Sequence, residues 1–168
     1  PVLIFSLAAI GLNILTGYAG QLSLGSAAFM AVGAFGAYNF MLRIDGMPFL
    51  LAIVLGGLCA AAVGVAFGLP SLRIKGFYLA VATLAAQFFI VWALVKFPWF
   101  SNYSTSGVIS TQQVEILGFV FDTPESKYLL TLAVVVVLAL VAKNLVRSTT
   151  GRSWMAVRDM DVAAEVIG

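Results

Sequence analysis

Only 10% of the 168 residues are charged, whereas 62% are hydrophobic, and the formal net charge is +2. Soluble domains average about 25% charged residues, so the composition indicates a membrane protein. The small net charge and the lack of a basic patch with interleaved aromatic residues argue against nucleic acid as a partner. With no histidine and one cysteine, Cys59, the sequence offers no intrachain disulfide and no histidine-based metal site. We expect no cofactor in this chain.

Five apolar segments are predicted to be transmembrane helices, because a bilayer span needs about 20 apolar residues. In chain order they are Pro1–Leu15, Leu24–Leu42, Phe49–Leu69, Phe77–Val95 and Tyr128–Val146. The predicted fold class is all-α, a polytopic transmembrane helix bundle over residues 1–146, followed by a charged tail over residues 147–168. The chain starts at Pro1 rather than Met and ends within a pattern, so we interpret it as part of a longer membrane protein.

The stretch "TGYAGQLSLGSAAFM", Thr16–Met30, joins the first two segments without a charged residue. Its glycines weaken a helix, while its hydroxyl and amide groups can satisfy freed backbone groups. Irregular backbone at membrane depth is tolerated only where protein or a watery cavity covers it. The stretch therefore indicates either an interrupted helix inside a bundle or a simple turn before a packing face. On the first interpretation, the candidates for a solute path are Gly20, Gln21, Ser23, Gly25 and Ser26.

The third segment carries small residues four apart, which places them along one helix face. They are Ala52, Gly56, Ala60, Gly64 and Gly68. Close helix packing in lipid depends on small residues, so we expect this ladder to contact another helix, more readily one in the same chain. The fifth segment is bulky and branched all round, as at Val134–Val137, and is predicted to face lipid or lie at the periphery.

Basic residues in the links predict the orientation of the spans. The link over residues 70–76 contains Arg73 and Lys75 without an acid, and the tail contains Arg147, Arg152 and Arg158. The link over residues 98–127 has three acids and one lysine. We therefore predict that 70–76 and 147–168 are cytoplasmic and that 98–127 lies outside, where its opening aromatic residues anchor at the headgroups.

The energy source is not visible in the sequence. No Asp or Glu lies inside an apolar segment, and no phosphate-binding G-x-x-x-x-G-K-[ST] loop occurs. Ion-coupled transporters commonly place ionisable residues mid-membrane, so we expect energy to enter through another chain. An ion-coupled secondary transporter or channel subunit is the alternative. An enzyme is disfavoured, because no span contains paired carboxylates or a nucleophile–base pair.

Three separated stretches resemble the LivM-type permease subunits of branched-chain amino-acid ABC transporters. In order they are "GLNILTGYAGQLSLGSAAFMAVGAFGAY", "LRIKGFYLAVATLA" and "LVRSTTGRSWMAVRDMDVAAEVIG". One region departs, because the outer loop reads "YSTSGVIS" where that family usually has a T-G-G-x-x-G-L run. The resemblance implies a multi-pass permease of the bacterial inner membrane that forms the translocation path. Its implied partners are ABC ATPase subunits, a second permease subunit and a periplasmic substrate-binding protein, with leucine, isoleucine and valine as substrates and urea or short amides among relatives.

The tail has the pattern of a short helix. Asp161 can cap its N-terminus, and Gly168 suits the left-handed position that ends a helix. The resemblance identifies this helix as the coupling helix that docks in a groove of the ATPase. The candidate coupling residues are Arg158, Asp161, Ala163, Ala164, Glu165 and Gly168. From the residues alone, a loop that packs on its own side of the membrane is the alternative.

The predicted orientation can be tested by cysteine labelling. In a Cys59→Ala background, a cysteine at Lys75 should be protected from an impermeant maleimide in intact cells. A cysteine at Ser110 should be labelled from outside. Labelling at position 75 without labelling at position 110 would reverse the orientation.

Overall fold

The computed structural model describes residues 1–71, 77–104, 108–110, 115–116, 119–120 and 123–159. Within them, the helices are α1 (Val2–Asn13), α2 (Ser26–Arg43), α3 (Phe49–Ser71), α4 (Phe77–Lys96), α5 (Pro124–Arg147) and α6 (Thr149–Asp159). A π-helical turn, Ile14–Tyr18, continues α1. A minimal antiparallel ladder pairs β1 (Glu115–Ile116) with β2 (Phe119–Val120). All five predicted apolar segments form helices, which confirms the all-α membrane class.

Three of the described helices are long and apolar enough to cross a membrane. They are Phe49–Leu69, Phe77–Lys96 and Pro124–Arg147. The helical stretch Val2–Tyr18 is apolar but shorter. Helix α2 is 18 residues long and contains Asn39 and Arg43 near its C-terminal end. Many large apolar side chains are exposed along these helices, as expected for surfaces that lipid covers.

The described chain forms two compact units. One unit is Leu24–Thr123, and the other combines Pro1–Ser23 with Pro124–Gly168. The tail helix α6 belongs to the second unit because it packs on α5 and on the π-helical turn. The packing of each unit is therefore described separately.

In the unit Leu24–Thr123, a small core forms between α2 and α4. Ala28, Ile90 and Leu94 are buried in it. The partly buried side chains that pack around this cluster are Ala31, Val32, Phe35, Val63 and Phe100. Helix α3 contributes through Val63, and the turn after α4 contributes through Phe100. Burial is modest, which suits a protein whose remaining apolar surface faces lipid.

Glycines allow the backbones of α2 and α3 to come into direct contact. A Cβ built on Gly56 would lie 2.5 Å from the carbonyl oxygen of Gly33 and 2.9 Å from the backbone nitrogen of Ala37. A Cβ on Gly36 would lie 3.3 Å from Cα of Gly56. The predicted ladder thus packs within this chain, against small residues on α2 that had not been singled out.

The ladder is not uniform along α3. Ala52 is fully buried, and Gly56 has the tightest surroundings. At Gly64 a Cβ would make an ordinary contact, 3.7 Å from the ring of Phe29. At Gly68 it would meet no atom within 4 Å in the described part of the chain. The close approach is therefore centred on Gly56 and relaxes toward the C-terminal end of α3.

A polar network joins the end of α2 to the turn after α4. The Asn39 amide, in a residue only 8% exposed, donates to the carbonyl oxygens of Phe35 and Phe100, at 2.8 Å each. Arg43 donates to Asn39 Oδ1 and to the carbonyl oxygen of Trp99. Its guanidinium carbon also lies 4.0 Å from the Trp99 ring centroid, a cation–π contact. Trp99 is one of the aromatic residues at the start of the link 98–127 that are predicted to anchor at the headgroups. Its ring also contacts an arginine of the same chain, which that prediction did not include.

In the other unit, α1 packs against α5, and α6 follows α5 after one residue, Ser148. Along α5, which the structure describes in full, no side chain is buried, in agreement with the prediction of a lipid-facing or peripheral helix. The Ser148 hydroxyl accepts from the backbone N–H of Gly151 at 3.4 Å, a weak N-cap for α6. Gly151 is buried, and a Cβ there would collide with the carbonyl groups of Leu145 and Val146.

Replacing Gly56 with Ala should destabilise the protein, because the added methyl would collide with backbone atoms of α2. Overpacking of this kind typically costs about 1–3 kcal/mol. The matched control is Gly57→Ala, since a Cβ at Gly57 meets nothing within 4 Å in the described part of the chain. Thermal unfolding of the purified protein in detergent measures both. Equal unfolding temperatures for the two variants would mean that the α2–α3 approach is not tight.

Candidate functional site

The stretch that joins the first two apolar segments is a helix break. The Ala19 N–H donates to the carbonyl oxygen of Ile14 at 3.1 Å, the five-residue spacing of a π-helix. The Thr16 hydroxyl donates to the carbonyl oxygen of Leu12 at 2.8 Å, a local bond that competes with regular helix. Gly20 then takes a left-handed conformation, with φ of 68°, and Gln21 N–H donates back to the carbonyl oxygen of Leu15 at 3.1 Å. The helix therefore ends at a glycine that a side chain would strain.

A short non-helical segment follows before α2 begins at Ser26. The Leu24 N–H donates to the Thr83 hydroxyl at 3.0 Å, and that hydroxyl donates to the carbonyl oxygen of Ala80. Thr83 lies on α4, so a side chain of that helix satisfies irregular backbone. Gly25 is the N-cap residue of α2 and is buried. Such satisfaction is what irregular backbone at membrane depth requires.

The predicted path residues differ in exposure within this chain. Gly20 and Gln21 are exposed, Ser23 and Ser26 are half-buried, and Gly25 is buried. They follow one another along the break, before and at the start of α2. Their assignment to a solute path stays a prediction.

Arg158 of α6 contacts the break. Its Nη1 donates a hydrogen bond to the carbonyl oxygen of Gly17. A Cβ built on Gly20 would lie 2.6 Å from Arg158 Cγ and 3.3 Å from its Cδ. The arginine side chain therefore lies over the backbone of the break, in the space that the absent side chain of Gly20 leaves. The sequence indicated Arg158 only as a contact with another protein, so this contact within the chain had not been predicted.

Asp159 orients the guanidinium of Arg158. Its Oδ1 accepts from Nε of Arg158 at 2.7 Å and lies 2.7 Å from Nη2. This hydrogen bond raises the pKa of Arg158 and, in return, lowers the pKa of Asp159. The pair is therefore present at neutral pH and is lost only as the pH falls through the lowered pKa of Asp159. Because both side chains are solvent-exposed, the pair contributes orientation more than stability.

The remaining coupling candidates, Asp161, Ala163, Ala164, Glu165 and Gly168, lie outside the described residues, as do Arg73 and Lys75. Helix α6 (Thr149–Asp159) precedes the short helix that the sequence predicts from Asp161. It begins at Thr149, because Ser148 caps it directly after α5. Among the described residues, no group of three or more acidic or cysteine side chains converges as a metal site would require.

Comparison with known proteins identifies one family. The family model described as the permease component of branched-chain amino acid transport systems matches residues 2–168. The high-affinity branched-chain amino acid transport system permease protein LivM of Escherichia coli is 28% identical over 189 residues. The protein of the same name from Salmonella typhimurium is also 28% identical over 189 residues. The matches cover 99% of this chain but 44% of each relative, so the chain spans less than half of their length. No solved structure matches this chain.

The contact between Arg158 and the break can be tested by a double-mutant cycle. Gly20→Ala should destabilise the protein through its left-handed backbone and through collision with Arg158. In an Arg158→Ala background only the backbone part remains, so the second mutation should cost less. We expect the two mutations to be non-additive in thermal or denaturant unfolding, because residues in contact do not act independently. Additive effects would mean that Arg158 does not lie over Gly20.

Proposed function

Because the chain belongs to the family of permease components of branched-chain amino acid transport systems, we propose that it forms the translocation path of an ATP-binding-cassette importer. On this proposal it is a transport subunit rather than an enzyme. ATP is hydrolysed in separate ATPase chains, and a second permease subunit and a periplasmic binding protein complete the assembly. The multi-pass chain lies in the bacterial inner membrane, with residues 70–76 and 147–168 in the cytoplasm.

The observation that carries this proposal is the hydrogen bond from Arg158 to the carbonyl oxygen of Gly17. It links α6, next to the predicted ATPase-docking segment, to the break in a transmembrane helix. A displacement of the tail by an ATPase would therefore pull on backbone that already lacks regular helical bonds. Such backbone changes conformation more readily than an intact helix, because fewer hydrogen bonds must be broken.

We propose branched-chain amino acids as the substrates, since the printed names of both relatives refer to their transport. A solute of this kind carries an ammonium, a carboxylate and a compact apolar side chain. The break offers backbone groups, the Gln21 amide and the Ser23 hydroxyl for the polar end. In this proposal, Gln21→Ala lowers the rate of uptake more than the amount of protein in the membrane.

The coupling role is tested by comparing two arginines of α6. Arg158→Ala should lower binding-protein-stimulated ATP hydrolysis and leucine uptake by about 10-fold, because it removes the hydrogen bond between α6 and the break and coupling between two sites is typically about 5–150-fold. Arg152→Ala removes the same charge from the same helix without touching the break and should be near wild type. The reconstituted complex, with its ATPase and binding protein, is the assay system.

Two results would contradict the proposal. If Arg158→Ala and Arg152→Ala behave alike, α6 does not transmit to the break through this contact. If uptake continues without ATP but collapses with an ion gradient, the chain serves an ion-coupled transporter instead. A panel of labelled leucine, isoleucine, valine and urea then identifies the substrate in either case.

A further inference from the structure

A groove of about 350 Å³ lies between the α1 helix with its π-helical turn and helix α5. Its polar lining residues are Asn13, Tyr18, Lys143 and Arg147. Its apolar lining includes Ala139 and Ala142, whose small side chains leave the groove open. None of the described lining residues is acidic, so the groove has a positive charge that its own walls do not neutralise.

The two cations lie on one face of α5, because residues four apart on a helix are neighbours. Lys143 and Arg147 fall in the last turns of a helix that is otherwise apolar enough to cross a membrane. In the part of the chain that the structure describes, neither side chain forms an ion pair or a hydrogen bond. Both are therefore available to an anion that reaches the groove from the membrane.

Chemical character changes in the same order along both walls. On α5 the lining runs through Ala139, Ala142, Lys143, Val146 and Arg147, so both cations lie toward the end of the helix. On the other wall it runs through Ile10, Asn13, Ile14 and Tyr18, so the polar side chains again follow an apolar start. An apolar wall that ends in cations, an amide and a phenol matches a phospholipid, whose acyl chain leads to a phosphate. A free phosphate ion would gain nothing from the apolar part of the groove.

We propose that this groove binds one anionic phospholipid, with its phosphate between Lys143 and Arg147 and an acyl chain along Ala139. Basic pockets between transmembrane helices are known to hold anionic headgroups. The Asn13 amide and the Tyr18 hydroxyl supply additional donors to the phosphate oxygens. The site is independent of ATP-driven transport, since it requires only that α5 lies in a bilayer.

The test uses the full-length protein, purified within its complex. Native mass spectrometry measures retained lipid, and thermal unfolding measures stabilisation by added phosphatidylglycerol. Phosphatidylglycerol should be retained and should stabilise the protein more than phosphatidylcholine. Millimolar inorganic phosphate should not reproduce the effect. If inorganic phosphate stabilises as strongly as phosphatidylglycerol, the site is an anion site and the lipid proposal is wrong.

Variants locate the site. Lys143→Gln with Arg147→Gln should weaken phosphatidylglycerol binding by about 5-fold for each charge removed. The control pair, Lys127→Gln with Arg152→Gln, removes the same charge from residues that do not line the groove and should retain the lipid. Ala139→Phe keeps both cations but fills the apolar part, and should also reduce retention. Equal retention by all three variants would overturn the proposal and indicate that protein covers the groove.

Discussion

Every backbone polar group at membrane depth needs a partner inside the protein, and this constraint governs how the helix break is built. A regular helix meets it without help. In the break after α1, the backbone groups find separate partners. One hydrogen bond has π-helical spacing, the Gln21 N–H donates to the carbonyl oxygen of Leu15, and the Leu24 N–H donates to the hydroxyl of Thr83. Arg158 satisfies one more carbonyl, that of Gly17. An irregular segment is thus stable only because side chains distant in sequence complete its hydrogen bonds.

The second requirement is close packing without a hydrophobic driving force between helices. The unit Leu24–Thr123 meets it by removing side chains where α2 and α3 meet. Gly33 and Gly36 on α2 face Gly56 on α3 so closely that no Cβ would fit at Gly56. Dispersion contacts between backbones then replace the bulky core of a soluble protein. Asn39 and Arg43 add hydrogen bonds between the end of α2 and the turn after α4.

In the unit formed by Pro1–Ser23 and Pro124–Gly168, helix α6 brings the end of the described chain into contact with the helix break near its start. Ser148 turns the chain directly from a span into this helix, and Gly151 allows the turn to be tight. The turn places α6 so that Arg158, on its last turn, reaches Gly17 and the left-handed Gly20. If an ATPase docks beyond residue 159, as we propose, its motion has a short route to a part of the membrane domain that already departs from regular helix.

The sequence alone determined the number and place of the apolar helices, because length and hydropathy are properties of each segment by itself. It also determined that α3 has a small-residue face, since residues four apart share a face whatever surrounds them. Which helix meets that face follows from the fold and not from the sequence, because the partner glycines on α2 form no repeat that marks them as its complement. The same holds for Arg158 and Gly17. Their contact spans 141 residues, and neither the charge of one nor the flexibility of the other indicates a partner until the chain has folded.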